Sequence, residues 1–177
     1  MADAAGGLQL PKVERTLVAS GEWFTIECAV RADLSSPAGE FLIALESGTW
    51  ATRDEALQEP DEQISWRSWF VAACEFLAET GWPPHGNPYN QLQDGIWELK
   101  HQVLRVPFYD TDGCGNSTPK IDYDSYSRFT TRPWPEDFDE FLRLTTAFEK
   151  TTQKTDPREI QLALTIREED LDHDRPG

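Results

Sequence analysis

Alternating apolar and polar residues predict strands in several parts of the chain. Residues 23–30 alternate in this way, as in a half-buried strand. Residues 96–101 and 104–109 follow one another closely and predict a hairpin, and residues 142–148 predict a further strand. Pro107 lies within the hairpin and predicts an edge position or a bulge, because proline has no N–H to donate to an inner ladder.

Three segments carry the signals of helices. A Ser-Pro pair at 36–37 is typical of a helix start, and apolar residues at helical spacing continue to near Gly48. Residues 64–80 form the clearest amphipathic pattern, whose aromatic stripe we expect to be core, and Gly81 ends it. Residues 156–159, DPRE, are typical of a capping residue, a first-position proline and a capping-box acid, and they predict a final helix.

The predicted elements follow in the order β-α-α-β-β-β-α and indicate an α+β fold. We expect a small antiparallel sheet of about four strands, with two N-terminal helices and a C-terminal helix packed on one face. Residues 1–20 are expected to be a flexible lead-in, 21–171 a single domain and 172–177 a tail. Residues 114–141 are expected to be an inserted, irregular segment with one short helix near its end (Pro135, Phe138, Phe141 and Leu142).

Composition and charge exclude several classes of function. The 177 residues hold 16 Lys and Arg against 32 Asp and Glu, a net charge of −16. Such a chain is not expected to bind nucleic acid tightly without specificity, or to adhere to an anionic membrane. No apolar stretch reaches the roughly 18 residues of a membrane span, and residues 1–7 lack the pattern of a signal peptide, so we expect a cytoplasmic protein. The three cysteines are far apart and indicate neither a disulfide framework nor a zinc site.

The acidic residues are unevenly distributed. Residues 1–90 hold 5 Lys and Arg against 14 Asp and Glu, whereas residues 148–164 hold 3 of each and are neutral. The region around Lys150 and Arg158 is therefore the least acidic part of the chain, which leaves room there for a local contact with nucleic acid.

Four short segments together resemble the RelE/HigB toxin superfamily, and most closely its phage-derived HigB-like branch. They are GIWELK at 95–100, LRV at 104–106, FEKTTQKT at 148–155 and REI at 158–160. The resemblance spans about residues 23–169 in the order of elements, with Thr151 in place of a second lysine and an expanded connection before the strand at 142–148.

The resemblance implies a RelE-like fold and a metal-independent mRNA endonuclease that inhibits translation without a cofactor. It also implies two partners, which are mRNA, on the ribosome or free, and a cognate HigA-like antitoxin with a helix-turn-helix domain. The alternative is a catalytically inactive RelE-like module that binds a protein partner, in phage–host interaction or regulation, through its acidic surface and the segment 114–141.

Cleavage of this kind uses the 2′-hydroxyl of the RNA as nucleophile and requires charge neutralisation and proton transfer. Arg105 is the best phosphate clamp, although a cross-strand salt bridge to Glu98 would equally explain it. Lys150 would share the phosphate charge, and Lys100 or His101 would assist proton transfer. Four further residues are candidates for RNA binding, among them an aromatic ring for base stacking: Lys154, Arg158, Gln153 and Tyr109.

Two other motifs compete with this interpretation. Glu98-Leu99-Lys100 fits half of a metal-dependent nuclease motif, with Asp61 as a distant partner, but three such residues often occur by chance. Asp110-Thr111-Asp112-Gly113 is similar to the start of a calcium loop, but its glycine comes too early, so a plain turn is the expected structure.

Overall fold

The computed structural model describes residues 13–86, 88–120, 134–135 and 137–177. These residues form an α+β fold with one mixed sheet, so the predicted class is confirmed, but the sheet is larger than four strands. Its strands are β1 (Leu17–Ser20), β2 (Thr25–Cys28), β3 (Tyr89–Gln91), β4 (Trp97–His101), β5 (Leu104–Thr111), β6 (Phe141–Leu144) and β7 (Phe148–Glu149).

The sheet has the order β1-β2-β6-β5-β4-β3, and β7 pairs with β5 beyond the end of β6. All neighbours are antiparallel except β2 and β6, which run parallel, so the expectation of a purely antiparallel sheet is wrong. β1 lies inside residues 1–20, so the expectation of a flexible lead-in is wrong for Leu17–Ser20, and residues 1–12 lie outside the described residues.

Within the described residues, three α-helices flank the sheet: α1 (Pro37–Glu46), α2 (Pro60–Thr80) and α3 (Pro157–Asp174). α2 begins earlier than its apolar stripe and ends at Gly81, which has a left-handed φ of 76° and donates its N–H to the Leu77 carbonyl. α3 begins after Asp156, whose carboxylate accepts the N–H of Arg158 at 2.9 Å, as the capping signal predicts. No helix of the described part of the chain is long and apolar enough to cross a membrane.

The helices lie on both faces of the sheet, not on one. α1 and α2 pack with Leu99, Phe108 and Leu142 in the larger core. α3 packs with Ile96 and Tyr109 in a second core. Because successive strand residues point to opposite faces, Phe108 and Tyr109 belong to different layers. The result is a sheet covered by helices on two sides.

A buried charge network holds α3 against the sheet. The Asp170 carboxylate is fully buried and accepts hydrogen bonds from Arg15 Nε at 2.9 Å, Arg143 Nη1 at 2.9 Å and the Val30 N–H at 2.7 Å. The Tyr109 hydroxyl also donates to Asp170, at 2.5 Å. Each buried charge is thus paired, which is the condition for burying it at tolerable cost.

At three positions the local structure can be compared with the prediction from sequence. Pro107 lies in an inner strand rather than at an edge. Its carbonyl accepts the N–H of Thr145 at 2.8 Å, and Thr145 lies in the short connection between β6 and β7. The short helix predicted around Pro135 and Phe138 is wrong, because Phe141 and Leu142 lie in β6 and the described residues just before them are not helical; residues 121–133 and 136 of that segment lie outside the described residues. The turn predicted at Asp112-Gly113 is confirmed by the Asp112 carboxylate, which accepts the N–H of Cys114 at 2.8 Å.

Candidate functional site

The predicted site residues meet at the end of the β4–β5 hairpin. Lys100 of β4 and Arg105 of β5 are direct cross-strand partners. β7 pairs with the same end of β5, placing Phe148 opposite Arg105, and the Lys150 N–H donates to the Val103 carbonyl at 2.7 Å. The pairing of β7 with the hairpin therefore brings Lys150 close to Arg105, although 45 positions separate them in the sequence.

These residues line a cavity of about 590 Å³, which we call the cationic cavity. Its charged lining among the described residues consists of four cationic side chains and one carboxylate: Lys100, Arg105, Lys150, Lys154 and Glu98. The side chains of Asn90, Gln91, Gln93 and Gln153 add amide groups. A quarter of the 16 Lys and Arg of the chain thus surround one cavity in a protein of charge −16. Such a local excess of positive charge attracts a phosphate group.

Glu98 is the buried counter-charge of the cavity. Its side chain is fully buried, and Oε1 accepts the Asn90 amide N–H at 2.9 Å and lies 3.6 Å from Arg105 Nε. The other carboxylate oxygen, Oε2, makes no hydrogen bond to a described residue. The salt bridge weighed as an alternative for Arg105 is therefore present, but it occupies only one side of the guanidinium.

The Arg105 guanidinium is held from several directions. Its Nη1 donates to the carbonyls of Gln102 at 2.6 Å and Leu104 at 2.8 Å, whereas Nη2 makes no hydrogen bond to a described residue. Burial lowers the pKa of Arg105 and the charge of Glu98 opposes that shift, and an arginine remains protonated at neutral pH. Nε is buried and has no hydrogen-bond partner among the described residues, so Nη2 is the nitrogen of this fixed cation that is left for a ligand.

His101 does not line the cationic cavity. It follows Lys100 on β4 and points to the opposite face, where its imidazole stacks on Trp69 at 4.2 Å between ring centres and 14° between planes. Burial lowers the pKa of His101 below its ordinary value, so the imidazole is neutral at pH 7. The role in proton transfer expected for His101 therefore has no support from this placement.

The predicted RNA-binding residues divide into two groups. Gln153 and Lys154 line the cationic cavity. Tyr109 is fully buried beneath α3, and burial together with the Asp170 charge raises its pKa, so the expectation that its ring stacks on a base is wrong. Arg158 is exposed, pairs with Asp156 at 3.1 Å and is not among the residues that line the cavity.

Sequence reasoning missed the contribution of β3. Asn90 lies opposite Glu98 in the register, and its Oδ1 lies 3.4 Å from Lys100 Nζ. The sequence of residues 82–90, WPPHGNPYN, predicts only an irregular linker, because proline and glycine interrupt any strand pattern. The signal that could have revealed it is the cluster of Asn and Gln at 87–93, directly before β4.

The metal-dependent alternative gains nothing from this geometry. Glu98 and Lys100 share one strand face, whereas Asp61 lies in the first turn of α2. Within the described residues, no three His, Cys, Asp or Glu side chains form a group that could hold a metal ion.

Comparisons of the chain with protein-family models, with curated proteins and with solved structures give no match. The motif residues and the cavity in which they meet are therefore the features that bear on function.

Proposed function

We propose that the protein is a HigB-like toxin of a type II toxin–antitoxin system, an mRNA endonuclease that needs no metal and inhibits translation in the cytoplasm. The observation that supports this most is the cationic cavity. Its four cations come from the segments that resemble the family, and all four line one cavity although the chain as a whole is strongly acidic.

The proposed reaction is an internal transfer within RNA. The 2′-oxygen attacks the adjacent phosphorus as it loses its proton, and the bond from phosphorus to the 5′-oxygen breaks as that oxygen gains a proton. The products are a 2′,3′-cyclic phosphate and a 5′-hydroxyl. Arg105 and Lys150 would neutralise the charge that builds on the phosphoryl oxygens, and Lys100 would assist proton transfer.

The Glu98–Arg105 pair fits this reaction as a positioning device. A guanidinium held by a carboxylate and two backbone carbonyls keeps one orientation, so little conformational entropy is lost when a phosphate binds to Nη2. Glu98 would act through Arg105 and would not touch the substrate.

The acidic remainder of the surface fits a narrow mode of RNA binding. Phosphates outside the cavity are repelled by the net charge of −16, so binding depends on a short segment that fits the cationic cavity. The proposed antitoxin partner, a HigA-like protein with a helix-turn-helix domain, would inhibit the toxin by covering this cavity.

A second candidate function is a RelE-like module that binds a protein and does not cleave RNA. The observation that favours it is the engagement of Arg105 by Glu98 and by two carbonyls, which a purely structural arginine would also show. The two candidates predict different results for the loss of Arg105.

The test is expression of the protein alone in a bacterial cell, compared with an Arg105→Ala variant. Arg175→Ala is the matched control, because Arg175 lies at the end of α3 and pairs with Glu168 and Asp172, away from the cavity. Growth and the length of total mRNA are measured after induction. We expect growth arrest with shortened mRNA for the natural chain and the control, and normal growth for Arg105→Ala.

Two results would contradict the proposal. Growth arrest by the natural chain with intact mRNA, shared by Arg105→Ala, favours the protein-binding module. Normal growth in all three strains, with folded protein present in each, excludes a toxin.

A further inference from the structure

A second cavity of about 390 Å³ adjoins the cationic cavity at the hairpin end. We call it the imidazole cavity, and its lining adds these residues to Lys100 and Arg105: Trp69, His85, Gly86, Pro88, His101 and Gln102. Its volume lies in the range of sites for small molecules, about 300–1,000 Å³.

Lys100 and Arg105 line both cavities, so the two cavities meet at this cationic pair. A phosphodiester has one nucleoside on each side of its phosphate. A phosphate bound to the pair therefore directs one nucleoside toward the amide-rich cationic cavity and the other toward the imidazole cavity.

The chemistry of the imidazole cavity suits a nucleoside. His101 is neutral at pH 7 and is fixed by its stack on Trp69, so it offers one ring nitrogen as donor and one as acceptor without repelling the adjacent cations. His85 and the Gln102 amide add further donors and acceptors, and the Trp69 and Pro88 rings add flat apolar surface. Base edges require both kinds of hydrogen-bonding group, and base faces require flat apolar contact.

We propose that the imidazole cavity is a nucleoside subsite, so that the protein binds RNA as at least a dinucleotide, with the phosphate at Lys100 and Arg105. This inference rests on the proposed function and extends it by adding Trp69, His85 and Gln102, which none of the motifs identified. His101 then belongs to the site as a binding residue instead of a proton carrier.

The test measures binding of short nucleotides to the purified protein by calorimetry. The probes are dinucleoside monophosphates in all sixteen base combinations, with a 2′-deoxy first ribose that prevents cleavage, and the four nucleoside 3′-monophosphates. We expect the best dinucleotide to bind at least tenfold more tightly than any mononucleotide.

His85 is exposed, and the variant His85→Ala should lower the affinity for the dinucleotide about tenfold, which is the size of one lost stacking or hydrogen-bond contact. It should leave the affinity for inorganic phosphate unchanged.

Arg175→Ala is the control and should leave every affinity unchanged. Equal binding of dinucleotides and mononucleotides, or unchanged dinucleotide affinity in His85→Ala, overturns the nucleoside subsite. If His85→Ala has no effect while the protein cleaves mRNA, the inference fails and the proposed function stands. If dinucleotides bind in the way expected but no RNA is cleaved, the proposed endonuclease fails and the subsite stands.

Discussion

Asp110 is a buried carboxyl group near the end of β5, an inner strand of the sheet. Its side chain accepts the Asp139 N–H at 2.8 Å and lies 3.5 Å from Lys120 Nζ. Burial raises its pKa from 3.8 to about 6, against the opposing effects of that hydrogen bond and of Lys120. Because Lys120 also pairs with Asp139, at 3.2 Å, Asp110 joins two ends of the segment between β5 and β6.

The raised pKa predicts how stability depends on pH. The folded state binds more protons than the unfolded state between pH 3.8 and about 6. The stabilisation that Asp110 contributes is therefore lost as pH rises through that window. Asp110→Asn cannot titrate but keeps an acceptor for Asp139. From pH 4 to pH 7.5, the free energy of unfolding of the variant should rise relative to that of the natural chain, by up to roughly 3 kcal/mol.

Urea unfolding at several pH values measures this difference. Asp172→Asn is the control, because Asp172 is exposed at the end of α3. Parallel pH profiles for Asp110→Asn and the natural chain would show that Asp110 does not titrate near pH 6.

Part of the candidate site can be predicted from single residues and their strand positions. The hairpin pattern places Lys100 and Arg105 near each other, and both line the cationic cavity together with Lys150. The places of His101 and Tyr109 depend on more than the hairpin pattern. Strand alternation sends His101 to the α2 face, and the cover over Tyr109 is α3, whose position the local sequence does not specify.

Gly81 determines how α2 ends and how the chain turns after it. It has a positive φ of 76°, and a Cβ at this position would lie 2.8 Å from the Trp23 ring. The Gly81 carbonyl also accepts the Trp134 indole N–H at 3.0 Å. The turn after α2 therefore needs a glycine for both its conformation and its contacts.

Gly81→Ala should destabilise the fold through both effects. The left-handed conformation costs an alanine about 1–2 kcal/mol, and the contact with Trp23 adds about 1–3 kcal/mol. Gly86→Ala is the matched control, because Gly86 has a φ of 96° but no atom within 4 Å of its added Cβ. Chemical unfolding should show a larger loss for Gly81→Ala than for Gly86→Ala, and equal losses would exclude the Trp23 contact as a cause.

Long helices and strands can be predicted from the sequence pattern, whereas short strands and their pairing cannot. The sequence predicts α1, α2, α3 and the hairpin, because each has enough residues for its apolar positions to repeat with a recognisable period. β3 has only 3 residues, too few for a pattern, and β1 lies in a segment whose apolar and polar residues alternate only weakly. The parallel pairing of β2 with β6 joins residues 116 apart in sequence, as in Glu27 and Arg143, and only the assembled sheet specifies it.

Positive and negative charges are unevenly distributed over the molecule. Acidic residues dominate the chain, and several are paired inside it, as Asp170 and Asp174 are with Arg15 and Arg143. The four cations of the cationic cavity face one carboxylate. Net charge alone therefore misrepresents what the protein can bind, because the side chains that line the cavity carry an excess of positive charge while the chain as a whole is acidic.

The central claim is that this cavity cleaves RNA by transfer to the 2′-oxygen. The most direct measurement is the chemistry of the ends formed when purified protein is mixed with mRNA on ribosomes. We predict a 2′,3′-cyclic phosphate and a 5′-hydroxyl, with the rate lowered about 10²–10³-fold in Arg105→Ala, as for loss of a group that stabilises transition-state charge. Arg175→Ala should cleave at the natural rate. Intact mRNA, ends with a 5′-phosphate and a 3′-hydroxyl, or full activity in Arg105→Ala would contradict the account.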